Sequence, residues 1–121
     1  MNVLADKSLK FGVRIYKLCK YLDEKKEFII SKQILRCGTS IGANIHEAIH
    51  AESELDYIHK YAIAQKECSE TLYWFQILKT TEVLTPEEFQ SINNDAEELM
   101  RLLVTSLKTM KSKLNSKPKK K

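Results

Sequence analysis

The chain has 121 residues, 43% of them hydrophobic and 30% charged, and a formal net charge of +4 at pH 7. This balance is typical of a single soluble globular domain and excludes a disordered chain. The longest apolar runs, at 61–64 and 72–75, are too short for a membrane span or a signal-peptide core, so we expect a cytoplasmic protein.

The first predicted helix runs from about Asp6 to Lys25. Apolar residues recur in it at steps of four, three and four, which is the period of a helix with one buried face. They are Phe11, Ile15, Leu18 and Leu22. A basic strip lies beside this stripe and consists of Lys7, Lys10, Arg14 and Lys17. The strip is a candidate polyanion-binding surface, and a solvated helix face is the alternative interpretation.

The second predicted helix begins near Ser31, a favourable N-cap residue. Its apolar stripe is formed by Ile34, Cys37, Ile41, Ile45 and Ala48. Gly38 and Gly42 lie about one turn apart inside this helix, where a glycine costs about 1 kcal/mol relative to alanine. We therefore expect a neighbouring backbone to approach closely at this turn.

Two capping signals predict the last two helices. Ser53 and Asp56 form a variant of the capping box before an apolar run, and Thr85-Pro86-Glu87-Glu88 supplies an N-cap, a proline and a glutamate at the required positions. The third helix has apolar residues nearly all round, whereas the fourth carries them at heptad spacing. These heptad positions are Phe89, Ile92, Ala96, Leu99, Leu103, Ser106 and Met110.

Four helices with short connections predict an all-α fold, an antiparallel up-down-up-down four-helix bundle over residues 1–114. Residues 115–121 place Pro118 among lysines, and we expect them to form a disordered basic tail.

The cysteines lack C-x-x-C spacing, which favours packed, reduced thiols over a disulfide framework or a zinc site. They are Cys19, Cys37 and Cys68.

Charge is divided unevenly along the chain. Residues 1–36 hold nine Lys/Arg against four Asp/Glu, residues 37–100 hold three against twelve, and residues 101–121 hold eight against none. This division predicts separate basic and acidic surfaces. The candidates for nucleic-acid binding on the last helix are Lys108, Lys111 and Lys113.

The second and third helices carry motifs that resemble a known family. The first motif is Gln33-x-x-Arg36-x-x-Thr39-Ser40-Ile41-x-Ala43-Asn44-Ile45-x-Glu47. The second is Asp56-Tyr57-Ile58 followed by Ala62-x-Ala64-x-Lys66-Glu67-x-x-Glu70-Thr71-x-Tyr73-Trp74. Both resemble the signature of the bacterial 23S rRNA intervening-sequence proteins, also called S23-type proteins. The polar motif residues are Arg36, Ser40, Asn44, Glu47, Glu67 and Glu70.

The resemblance implies a four-helix bundle that assembles as a ring-shaped homopentamer and is encoded inside an intervening sequence of a 23S rRNA gene. Related bundles serve diversity-generating retroelements, where a basic pentamer binds reverse transcriptase and nucleic acid. The family has no established catalytic residues, so the resemblance assigns none and implies no cofactor. Ala48 stands where relatives often have glycine, a departure that bears on a tight backbone contact there and not on the fold.

The sharpest chemical motif is His46-Glu47-Ala48-Ile49-His50, which has the H-E-x-x-H spacing of zinc peptidases. On a helical wheel the two histidines lie opposite the apolar stripe of the second helix. A zinc peptidase also needs a third protein ligand, a substrate groove and usually an edge strand, and the sequence supplies no strand. We therefore predict that the protein is not an enzyme and has no metal centre, with incidental metal capture by the histidine pair as the alternative.

Apolar residues outside the bundle stripes predict homo-oligomerisation, because a large exposed apolar patch is unusual on a soluble monomer. These expected contacts are Leu9, Val13, Tyr16, Ile63, Trp74 and Ile77. A pentamer is favoured by the resemblance alone.

Two functions remain open. One is an oligomer that binds RNA or other nucleic acid through its basic surface, and the other is a scaffold that recruits a partner protein, such as a reverse transcriptase-like enzyme, without touching nucleic acid. Neither involves a membrane.

Overall fold

Four helices joined by short connections form the computed structural model, which describes residues 2–116. The helices are α1 (Val3–Glu24), α2 (Phe28–Ala48), α3 (Glu54–Thr80) and α4 (Pro86–Ser116). Each helix packs against the next one in the chain, and α4 closes the bundle against α1. Residues 2–116 contain no strand, so the predicted all-α four-helix fold is confirmed.

The core is a continuous cluster of side chains from all four helices. Ile15, Ile34, Phe75 and Leu103 are completely shielded from solvent. The rings of Phe11 and Phe75 meet edge to face with centroids 6.4 Å apart, which joins α1 to α3 through the centre of the bundle. The apolar stripes predicted on these helices therefore point inward.

The predicted caps of α3 and α4 are confirmed. The backbone N–H of Asp56 donates to Ser53 Oγ at 3.0 Å. At α4 the capping box is reciprocal, because Glu88 N donates to Thr85 Oγ1 at 3.1 Å and Thr85 N donates to Glu88 Oε1 at 2.8 Å. The hydrogen bond from the Thr85 backbone also lowers the pKa of the Glu88 carboxyl.

The first two helices begin earlier than predicted. α1 begins at Val3, where Asn2 Oδ1 accepts from the backbone of the first turn, and α2 begins at Phe28 without a side-chain cap. The prediction of Ser31 as an N-cap is therefore wrong. Ser31 is buried within α2 and pairs with α1 instead: its Oγ donates to Cys19 O at 3.1 Å, and Cys19 Sγ donates to Ser31 O at 3.3 Å.

Gly38 and Gly42 allow α2 to lie close against α1. The predicted approach of a neighbouring backbone is found at Gly42, whereas the neighbour of Gly38 is a side chain. A Cβ atom on Gly38 would lie 2.8 Å from Cδ1 and Cγ1 of Ile15, and one on Gly42 would lie 3.2 Å from the carbonyl oxygen of Ser8. The first distance is shorter than carbon atoms tolerate. The two glycines therefore set the spacing between the helices.

α4 is the longest helix, with 31 residues. Its fully buried stripe ends at Leu107, and the helix then continues to Ser116. Asn115 and Ser116 are therefore helical rather than part of a disordered tail, and residues 117–121 of the predicted tail lie outside the described residues.

No helix in the described part of the chain has the length and apolar character that crossing a bilayer requires.

The cysteines are free and buried, as predicted. Burial raises the pKa of Cys37 to about 11 and that of Cys68 to about 12, and it also raises the pKa of Cys19.

Because the thiolate is the reactive form, we predict that the folded protein resists iodoacetamide at about pH 8 and that all of these thiols react after unfolding in guanidinium. Mass spectrometry counts the adducts, and rapid alkylation of the folded protein would contradict the prediction.

Candidate nucleic-acid interface

The basic strip of α1 lies along its seam with α4. Arg14 Nη1 donates to Asp95 Oδ2 at 2.6 Å and to Ser91 O at 3.2 Å, and Nη2 donates to Ser91 Oγ at 3.0 Å. Lys7 Nζ lies 3.3 Å from Glu98 Oε1. Two of the four cations that the sequence predicted for phosphate binding are therefore already engaged between helices.

The other two strip residues differ from each other. Lys10 Nζ pairs with Asp6 Oδ2 at 3.2 Å along α1, whereas Lys17 is exposed and forms no ion pair with another described residue. Three carboxylates therefore lie beside the four cations of the α1 strip. They reduce the positive electrostatic potential of the strip at a distance. Exposed ion pairs contribute at most about 1 kcal/mol, so a phosphate can compete with them, although it gains less than it would from unpaired cations.

A second basic surface follows the last third of α4. Arg101, Lys108 and Lys111 recur at steps of seven and three, which places them on one side of the helix. All three are exposed, and none forms an ion pair with another residue in the described range. Lys113 is also exposed but lies on a different side. Lys108 and Lys111 were predicted from the sequence but Arg101 was not, although the helical spacing of Arg101 to Lys108 already indicates a shared face.

The polar motif residues hold α2 and α3 together. Arg36 donates to Glu67 Oε2 at 3.2 Å and to Glu70 Oε2 at 2.5 Å, and Trp74 Nε1 donates to Glu70 Oε2 at 3.0 Å. The hydrogen bond from Arg36 lowers the pKa of the Glu70 carboxyl, and the bond from Trp74 lowers it further. This network fixes the register of the two helices.

Two further contacts involve motif residues. One lies within α2, and the other links α2 to α3. Asn44 Nδ2 donates to the backbone oxygen of Ser40 at 2.8 Å and to its Oγ at 3.1 Å. Glu47 Oε1 accepts from Lys60 Nζ of α3 at 3.1 Å. The motif is therefore engaged in contacts within the bundle.

The H-E-x-x-H segment lies at the end of α2. His46 Nε2 lies 3.1 Å from the carbonyl oxygen of Ala5, within hydrogen-bond distance, and His50 is exposed just beyond the helix. Among residues 2–116, no group of three or more His, Cys, Asp or Glu side chains is arranged to hold a metal ion. The histidine pair therefore has no third ligand from the described residues.

We predict no metal-dependent peptidase activity. His46 contacts the α1 backbone and Glu47 pairs with Lys60, so a zinc peptidase mechanism would require both groups to be released. The measurement is cleavage of a fluorogenic peptide after zinc addition. A His46→Ala, His50→Ala double variant is the matched control, and zinc-dependent cleavage that this variant lacks would contradict the prediction.

The predicted oligomer contacts form two separate faces. Leu9, Val13 and Tyr16 are 58%, 47% and 54% exposed and line an open groove between α1 and α2. We call this surface the α1–α2 groove. The second face, called the α2–α3 edge, comprises the half-buried residues Ile63, Trp74 and Ile77. Oligomerisation itself stays a prediction.

These observations define a four-helix-bundle protein with an intact polar motif and two basic surfaces. The chain belongs to the 23S rRNA-intervening sequence protein family, whose model matches residues 2–105. It is similar to a protein with unknown function from the S23 ribosomal protein family of Bacteroides thetaiotaomicron VPI-5482, whose crystal structure has a resolution of 1.70 Å.

That structure shares 55% sequence identity with this chain, with a TM-score of 0.86, and the match covers 88% of this chain and 99% of the other. No curated protein matches the chain. The family identified from the motif residues is therefore confirmed, whereas neither comparison assigns an activity.

Proposed function

We propose that this protein is a non-enzymatic homo-oligomer that binds RNA or other nucleic acid through the basic section of α4. The observation that carries the proposal is the exposed row of Arg101, Lys108 and Lys111, none of which forms an ion pair with a described carboxylate. Phosphate oxygens gain most from cations that are not already paired, because no ion pair must first be broken. Repeated in each subunit, the row makes an extended positive surface.

The α1 strip takes a secondary part in this proposal. Arg14 and Lys7 reach phosphate only by leaving Asp95 and Glu98, whereas Lys17 is available directly. Aromatic side chains are absent from residues 101–121, so base stacking contributes little on α4. We therefore expect contacts to the phosphate backbone and little sequence preference.

The second candidate function is a scaffold that recruits a partner protein without contacting nucleic acid. It is favoured by the exposed apolar α1–α2 groove, since apolar patches on soluble proteins mark interaction sites. In this case the lysines of α4 maintain solubility only.

A salt-dependent titration separates the two functions. Fluorescence anisotropy of a labelled structured RNA is measured with increasing protein at about 50 mM and about 200 mM salt, with a DNA duplex of equal length as the comparison. Nucleic-acid binding predicts a steep loss of affinity with salt, with a log-log slope of about −0.7 to −0.9 per phosphate contact, and similar affinity for both ligands. Absence of binding at the lower salt concentration would leave the scaffold as the better account.

A further inference from the structure

A second groove lies between α1 and the start of α4, away from the basic row at the other end of α4. We call it the α1–α4 groove. Its volume is about 610 Å³, and ligand sites in proteins typically have volumes of about 300–1,000 Å³. Its apolar lining consists of Leu18, Tyr21, Leu84 and Ile92. A ligand with a flat apolar body can therefore bury one side here.

The two helices bring opposite charges to this groove. α1 contributes Arg14 and Lys17, whereas α4 contributes Glu87 and Glu88. Arg14 and Glu88 are already engaged, the first across the seam with α4 and the second in the capping box of α4. The side chains of Lys17 and Glu87 are exposed, and neither forms a hydrogen bond or ion pair with another described residue. One ammonium and one carboxylate are therefore free to contact a ligand.

The aromatic ring of Tyr21 is held in place before any ligand enters. Lys25 Nζ lies 4.8 Å from the centroid of this ring and donates to Val83 O at 3.3 Å, so it ties the ring to the segment that precedes α4. A side chain that is already fixed loses little further freedom on binding. Aromatic rings beside cations are a common place for unpaired bases, because every base has a π-face.

We propose that the α1–α4 groove binds one unpaired guanine nucleotide of an RNA strand. The inference rests on the nucleic-acid binding of the proposed function and adds the recognition of one base. The base lies on the apolar lining, its phosphate contacts Lys17, and Glu87 accepts hydrogen bonds from the base edge. Among the four RNA bases, only guanine has two adjacent N–H donors on its Watson–Crick edge, and the two oxygens of a carboxylate can accept both.

The charge balance of the groove favours a nucleotide within a strand over a free polyphosphate. Two carboxylates face two cations here, so the groove attracts a highly charged anion weakly, whereas a phosphodiester carries a single charge. The strand can also continue to the basic row, because Arg101 follows Ser91 by about 15 Å along α4. The row contacts phosphates without reading bases, and the groove adds a preference at one unpaired position.

The first test compares four labelled single-stranded RNA hexamers by fluorescence anisotropy at about 50 mM salt. One contains only uridine, and the others carry guanosine, cytidine or adenosine at one central position. We expect the guanosine hexamer to bind at least about fivefold more tightly than the others, which is the lower end of the discrimination given by a bidentate contact.

Two outcomes of this comparison overturn the inference. Equal affinity for all four hexamers removes the base recognition and leaves the proposed function standing. Absence of binding by every hexamer removes the groove site, while the titration with structured RNA decides the proposed function separately.

The second test changes the group that reads the base. Glu87→Gln replaces two acceptors by one donor and one acceptor, which matches the Watson–Crick edge of adenine. We expect the preference to move from the guanosine hexamer to the adenosine hexamer, with an unchanged circular dichroism spectrum. Glu52→Gln makes the same change at an exposed position between α2 and α3 and is expected to keep the guanosine preference. A Glu87→Gln protein that still prefers guanosine overturns the inference.

The third test separates the phosphate contact from the base contact. Lys17→Ala is expected to weaken the binding of all four hexamers by a similar factor and to make the salt slope shallower by about 1. The preference for guanosine is expected to persist, because Glu87 is unchanged. A loss confined to the guanosine hexamer would place Lys17 at the base and overturn the proposed arrangement.

Discussion

Replacing Lys108 and Lys111 together with glutamate is expected to lower the affinity for structured RNA by at least about tenfold at low salt. Both lysines are exposed and unpaired within the described chain, so each is free to contact a phosphate, and the two glutamates add repulsion. The salt slope is expected to become shallower by about 2 for each subunit that engages the RNA. Anisotropy titrations at several salt concentrations measure both quantities.

Two control variants make this result specific. Lys32→Glu with Lys66→Glu changes the net charge by the same amount at exposed positions of α2 and α3, and it is expected to have a much smaller effect. Lys10→Glu with Arg14→Glu tests the α1 strip, where existing ion pairs reduce the gain from phosphate. Equal losses in all three double variants would indicate a response to net charge alone and would contradict a site on α4.

Replacing Gly38 with alanine is expected to destabilise the bundle by about 1–2 kcal/mol, although alanine is the better helix former. The new Cβ would lie 2.8 Å from two carbons of Ile15, a side chain with no exposure to solvent and hence no free space to move into. The overlap either separates α1 from α2 or forces Ile15 out of its preferred rotamer. Urea denaturation followed by circular dichroism measures the loss.

Gly12→Ala is the matched control, because the same substitution meets no neighbouring atom there. It is expected to leave the bundle unchanged or to stabilise it by up to about 1 kcal/mol. The variants are compared under conditions in which light scattering gives all of them the same mass, since assembly shifts apparent stability. A Gly38→Ala protein as stable as Gly12→Ala would contradict the proposed role of the close helix contact.

The parts of the fold that were predictable depend on signals local in the chain. The caps at Ser53 and Thr85 involve residues three positions apart, and the apolar stripes repeat within one helix. Ser31 was misassigned because serine favours both a helix start and a buried bond to a neighbouring backbone, and only the packing of α1 decides between them.

The candidate site was predictable only in part for the same reason. The cations of α1 follow a local helical spacing, but the partner of Arg14 is Asp95, 81 positions further along the chain. No local pattern shows which carboxylate will lie opposite which cation once the bundle has closed. The end of α4 was easier to interpret, because residues 101–121 contain no acidic residue that could neutralise it.

The seam between α1 and α4 also affects how the bundle is expected to fold. The other helix pairs are neighbours in the chain, and such short-range pairings form quickly. α1 and α4 must find each other across nearly the whole sequence, helped by charge attraction between Arg14 and Asp95 and between Lys7 and Glu98. During synthesis α4 emerges after the other three helices, so the cations of α1 remain uncovered until the final step. Raised salt weakens that attraction and is expected to slow closure.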